Sequence, residues 1–494
     1  MNAWKSTVKK SIQCVLPVLA VGLLSTGCKT YEQQNQVIDY WHQGNLTNAV
    51  SEATKQADEN ANNKDAIIWR LEQGAVLRAN GQYEDSNKAF DQAQVKIDDY
   101  AQKAKVRVGQ EAGALLSNQA NLDYEGRSYD GIMLNTYRAL NYLALGQVDN
   151  ARPEIIRAYQ RQQDAVEDNK RRIEKTQEEA AKDKDKAKMD KAQADPKFQS
   201  QLQNSMTNIN DIKVYADYVN PFTVYLDGLY FMVNAADSSD MERAHKSLER
   251  ASSCVPDNEY VKQDLATADA LMNHQAMLPT TYVILETGCA PIRDQVRIDI
   301  PIIISKVSYI GAAFPTIKPH ANYPHVLNVA ANGTNYNTQT ICSMDSIVTL
   351  DYKNELPIVI TKTIAATITK AVAAYAINQA ASQQSSIFGL VAQVSTAVYQ
   401  GAVNIADTRT WTTLPKEFQI CRLPTPADGK LELSTPNGMK MSVTLDGVTN
   451  VSKIDLTSTN SVQASLNTGS LVNVVYVKAI TGSTPLLVSQ FKLK

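Results

Sequence analysis

Between Asn220 and Asp257 the apolar positions recur as on two helices packed back to back. Tyr225, Leu226, Leu229, Tyr230 and Val233 make one face at helical spacing, and Met241, Ala244, Leu248 and Ala251 make a second. Pro256 follows as a stop signal. Gly228 stands on the first helix where a partner backbone can approach closely.

The same theme opens the chain. Gly44 precedes Ala49 and Ala53, Gly81 precedes Ser86, Phe90 and Ala93, and Gly146 precedes Ala151, Ile155 and Ala158. Each glycine predicts a turn between helices, and each small residue predicts a close helix contact. Small Ala244, larger Leu248, small Ala251 and then proline is the second-helix pattern of a tetratricopeptide-like repeat. Four such hairpins predict a tetratricopeptide-like α-solenoid over residues 28–275, with an unspecialised helical bundle as the alternative. A charged insertion at 165–195 interrupts it. Its centre, Lys170 to Ala192, has no aromatic residue and cannot supply a core, so a solvated helix or a disordered spacer is expected.

After Pro279 the period changes. Thr281–Glu286 and the alternating Val296, Ile298 and Ile300 predict strands, and Asn332-Gly333 predicts a hairpin turn. Leu356 to Ile405 reads as an apolar helix pair broken at Ser382–Ser386, with Pro357 in a first turn. Lys362 and Lys370 interrupt the first helix, so burial against a sheet is expected rather than membrane insertion. From Pro424 onward short strands follow, with a turn at Asp446-Gly447, and these predict a small β-sandwich over 425–494. The expected fold class is therefore α+β: a helical domain, a mixed α/β domain over 276–424 and the sandwich.

The amino terminus changes the setting. Lys5, Lys9 and Lys10 precede a short apolar run, Val15–Leu24, and Leu23-Leu24-Ser25-Thr26-Gly27-Cys28 resembles a lipobox. Residues 1–27 are expected to be a lipoprotein signal peptide and Cys28 the lipidated residue. Loss of the three lysines takes the formal charge from −2 to −5. Lys29 after the cysteine predicts sorting to the outer membrane, facing the periplasm. The balance of 49 Lys+Arg against 51 Asp+Glu argues against nucleic-acid binding. Cys254, Cys289, Cys342 and Cys421 match no zinc spacing; disulfides in an oxidising compartment and buried free thiols both stay open.

No phosphate-binding glycine loop, HExxH or GxSxG stands in the sequence, and no cofactor or metal is expected. His320 and His325 read as part of a surface loop. Asp407, Arg409 and Trp411 alternate, so in an extended segment they would share a face. An Asp–Arg pair with tryptophan over the guanidinium predicts a structural pin between helices and sandwich; the same trio could bind a sugar.

Several phrases resemble a family of uncharacterised bacterial lipoproteins with tetratricopeptide-like repeats. They are Asn220-Pro221-Phe222 with Tyr225 to Leu229, Glu242-Arg243-Ala244, Glu286 to Pro291 and Ala406 to Pro415. The resemblance spans most of the mature chain, and the last phrase is the sharpest. Some members are encoded beside lipoproteins that activate peptidoglycan synthases, which implies a role in envelope assembly. The expectation is a non-enzymatic, lipid-anchored envelope scaffold that binds a protein partner through its repeats. The alternative is a glycan- or peptidoglycan-binding protein that uses its carboxy-terminal half.

Overall fold

The computed structural model describes residues 29–106, 120, 122–183, 185–216, 219–304, 307–382, 405–446 and 472–493. The expected signal segment, Cys28, most of the expected helix Ile387–Ile405 and Gly447 of the expected turn lie outside these residues.

The first part is helical. Helices α1 (Lys29–His42) and α2 (Leu46–Glu59), α3 (Ala66–Ala79) and α4 (Tyr83–Val106), and α5 (Ser128–Ala144) and α6 (Val148–Lys182) form three hairpins. Three short helices follow, α7 (Lys186–Gln193), α8 (Pro196–Ser205) and α9 (Thr207–Asn210). Then come a fourth hairpin, α10 (Pro221–Asn234) with α11 (Ser238–Cys254), and α12 (Glu259–Met272). Gly44, Gly81 and Gly146 turn the first three at φ of +70°, +77° and +70°, a region closed to most side chains. The fourth turn has no glycine and is capped by Asp237, whose carboxylate accepts from Asp240 N–H. Gly228 acts inside α10 instead: a Cβ there would lie 2.7 Å from Leu248 Cγ. Ala244 is fully buried at the same contact.

The two rows of helices differ. Helices α3, α5 and α10 are buried nearly all round, whereas α2 and α11 bury one stripe, Ala49-Ala53-Ala57 and Ala244-Leu248-Ala251. The first row is therefore inner, covered on its far side by the rest of the chain. The charged insertion is helical, shared between the 35-residue α6 and α7. It is not wholly solvated, because Thr176, Met189 and Ala192 are buried among its charges.

The second part is built on strands. Its central strand is β1 (Thr280–Thr287), buried at all eight positions. Next come the β2 (Ile292–Ile304) and β3 (Val307–Lys318) hairpin, then β4 (Asn328–Ala331), β5 (Thr334–Asn337) and β6 (Gln339–Ser343). Asn332 and Gly333 both have positive φ between β4 and β5, as a two-residue hairpin turn requires. Helix α13 (Met344–Ser382) follows, packed on α6, α7, β2 and β3. It is one helix of 39 residues that begins 13 positions before Pro357, so the proline is interior rather than in a first turn. Lys353, whose carbonyl lacks its usual donor there, is a half-buried residue. Among the described residues no helix is long and apolar enough to cross a membrane.

The last strands are β7 (Glu417–Pro424), β8 (Lys430–Ser434), β9 (Lys440–Thr444), β10 (Val472–Ala479) and β11 (Leu487–Lys492). One sheet has the order β11-β10-β1-β7-β6, with β10 parallel and β7 antiparallel to β1; another has the order β5-β4-β8-β9. The strands of 425–494 thus pair across the expected boundary at 424, β10 with β1 and β8 with β4. Parallel pairing needs a long connection and leaves no local signature, so the partner of Val472–Val477 could not be read from the neighbouring sequence. The molecule is α+β, with helices leading and sheets following.

Candidate functional site: the 406–416 segment against the inner helices

Residues 406–416 run without regular structure between the end of the 383–404 segment and β7, and they cross the inner helices. A backbone that makes no ladder must find other partners when buried. Side chains from or beside the helices supply several of them at 409–413, while Ala290 N, Thr287 O and Met344 N bond the backbone of Leu414 and Lys416. Gln34 of α1 donates to Thr410 O at 3.3 Å, and Arg127, just before α5, donates to Arg409 O at 3.4 Å. Glu72 of α3 accepts from Thr412 N at 2.6 Å and from Thr413 N at 3.3 Å. Its two oxygens also accept from the hydroxyls of Thr412 and Thr413.

Trp411 is 1% exposed. Its ring lies 5.8 Å from both Phe90 of α4 and Tyr137 of α5, and its Nε1 donates to Thr413 Oγ1 at 3.0 Å. Arg409 binds Asp407 through Nε at 2.8 Å, Asp65 at 3.0 Å and Leu122 O at 2.9 Å. The ring beside its guanidinium is Tyr124, 5.3 Å from centroid, and not the expected Trp411. The irregular backbone turns the two side chains into different pockets, so the alternation of 407, 409 and 411 does not put them on one face.

A buried ionic chain continues from Asp407. Arg127 reaches Asp407 at 3.6 Å and Glu355 of α13 at 2.6 Å; Arg293 of β2 joins Glu355 at 2.6 Å and Asp351 at 3.1 Å. Burial alone would raise the Asp407 carboxyl, but Arg409 and Arg127 outweigh it and hold it below its ordinary value. Glu355 is lowered too, because Arg127, Arg293 and Arg172 overcome its burial. Among the described residues no cation pairs with Glu72. Burial pushes its carboxyl up to about 7, against four hydrogen bonds that favour the ionised form.

Two further buried knots join helices to the central sheet. Glu286 of β1 accepts from Tyr137 of α5 at 2.8 Å and is paired with Lys478 of β10. Asp264 of α12 accepts from Tyr225 of α10 at 2.7 Å and Tyr282 of β1 at 2.6 Å, and pairs with Arg422 of β7. Burial raises Asp264 to about 6 despite Arg422. Sequence reading missed Glu72, Arg127, Asp264, Glu286 and Glu355. A signal existed for two of them: Glu72 interrupts Ala66–Leu77 and Glu286 ends Tyr282–Leu285, each a charge set in an apolar run.

His320 meets His42 edge to face at 5.4 Å, and His325 tilts over Tyr323 at 4.2 Å. Among the described residues no three His, Cys, Asp or Glu side chains are grouped to hold a metal ion. Cys254, Cys289, Cys342 and Cys421 are free thiols, three of them buried. Gly81 and Gly146 lie at open turns away from the segment, with nothing within 4 Å of an added Cβ. Comparison of the chain with protein-family models, curated proteins and solved structures found no match.

Proposed function

We propose that the chain is a non-enzymatic, lipid-anchored envelope scaffold whose four hairpins form a tetratricopeptide-like array and hold a protein partner. In this reading Cys28 carries the lipid, the anchor lies in the outer membrane and the body faces the periplasm. One observation supports it above the others: the ionised side chains of the candidate site are spent on holding residues 406–416 and the sheets against the inner helices. Trp411 and Arg409 are buried, and Arg409 and Asp407 are spent on ion pairs with Asp65 and Arg127. The inner row is covered by the chain itself, so the partner surface falls to the outer row, α2, α4, α6 and α11.

Two measurements test this. Cys28→Ala should leave the precursor uncleaved or release the protein from membranes; unchanged fractionation and mobility would remove the anchor. Affinity purification from crosslinked envelopes should then yield one dominant protein. Recovery of peptidoglycan fragments instead would favour a glycan-binding protein acting through its carboxy-terminal half.

A further inference from the structure

We propose that His42 and His320 form an acid-sensitive latch: while both rings are neutral they seat the end of helix α1 on the sheet half, and their ionisation releases it. The inference goes beyond the reading above and needs neither the anchor nor the partner. His42 is the last residue of α1, and its ring meets that of His320 edge to face at 5.4 Å. Both residues are half-buried. Loops make the seat. Two residues past His42, a Cβ on Gly44 would lie 3.3 Å from Thr484 Cγ2. Gly482 N donates to Asn322 Oδ1 at 3.2 Å, and Asn437 Nδ2 donates to Gly482 O at 3.3 Å. The loops that carry His320 and Thr484 are thus tied to each other around the end of α1.

The surroundings make a proton costly here. Burial lowers both imidazoles from their ordinary 6.5. Asp39, one turn back on α1, opposes this at His42 and is outweighed. His42 itself and Lys416 add to it at His320. Lys416 is paired with Asp345 of α13 and lies 5.3 Å from the Tyr323 ring, and Tyr323 donates to Glu417 of β7 at 3.0 Å. Lys478 of β10 lies 4.8 Å from the ring of Trp41, the neighbour of His42, and is paired with Glu286. Each of these cations already has its carboxylate, so a new charge on the pair gains only Asp39. An imidazole held neutral when docked takes its proton after release. Docking is therefore complete above 6.5 and weakens as pH falls below it. Each histidine multiplies the open population of α1 by about ten between pH 7.5 and 5.5. Acid then frees the end of α1 from the sheets while the rest of the fold stands.

Hydrogen exchange of the full chain, corrected for the intrinsic rate at each pH, reads this opening. Amides of Val37 to His42 should open about a hundredfold more often at pH 5.5 than at pH 7.5, one factor of about ten for each ring. Those of β1 should show no such rise, because Glu72 makes global unfolding harder over the same range. His42→Phe combined with His320→Phe keeps two rings and removes both titrations, so the rise should vanish. His320→Gln alone, a substitution on a loop, should leave a rise of about tenfold. Flat exchange of α1 in the parent, or an undiminished rise in either variant, would overturn the proposal. So would a rise shared equally with β1, which is acid unfolding of the whole fold.

Discussion

At the residue scale, the segment from Asp407 to Lys416 is held by geometry that single substitutions can probe. Trp411 fills a pocket between Phe90 and Tyr137 and closes a chain of donors that ends on Glu72. Trp411→Ala should cost about 3–5 kcal/mol, read as a lower denaturant midpoint, with early protease cleavage near residue 415. Glu72 gives a sign as well as a size. Its folded carboxyl titrates near 7 and its unfolded one near 4.5, so between those values the folded state binds more protons. Its contribution is complete below the unfolded value and is lost as pH rises through 7, a fall of about 3 kcal/mol. Glu72→Gln should flatten the dependence of unfolding free energy on pH between about 5 and 7. The opposite slope belongs to Asp407 and Glu355, whose lowered carboxyls contribute stability that disappears in stronger acid.

At the element scale, the hairpins rest on small residues where helices cross. Ala244 is fully buried on α11 and Gly228 lies against Leu248 on the same contact. Ala244→Leu should overpack this crossing by about 1–3 kcal/mol, lowering the midpoint of thermal melting. These contacts were legible because helical period and small residues are local signals. Helix α13 was legible only in part. Its first turns, Met344 to Leu356, bear Asp351 and Glu355 facing Arg293 and Arg127, and buried carboxylates read from sequence as solvent-facing. Pro357 then looked like a beginning, although the helix runs on through it. The trio at 407, 409 and 411 shows the same limit: the residue types were informative, but their pockets are made by α3, α4 and α5, far away in sequence.

At the scale of the whole molecule, strand pairing and buried charge join the two halves. Strand β10 flanks β1 on one side and β7 flanks it on the other. A chain ending at residue 424 would lack β10 and β11 and would leave Lys478's partner, Glu286, buried without its cation. Breaking a buried pair in this way costs about 3–5 kcal/mol before the lost strand pairing is counted. We expect that truncated chain to be insoluble or loosely packed, with exchange-labile amides in β1, and the chain to residue 494 to unfold in one transition. A folded, protease-resistant 29–424 fragment would mean that the boundary at 424 separates independent units after all. The sequence held local period well and this pairing hardly at all, because a parallel partner is specified by burial on both faces rather than by a turn.

The bond between Glu286 and Lys478 joins residues 192 apart. Seen in time, that separation is a delay. A ribosome adding about 5–20 residues per second needs roughly 10–40 s to pass from one to the other. Throughout it β1 lacks its parallel neighbour, and the inner faces of α3 and α5 wait for residues 406–416. Synthesis of such a chain therefore leaves an unfinished, apolar half exposed to aggregation until its last strands arrive.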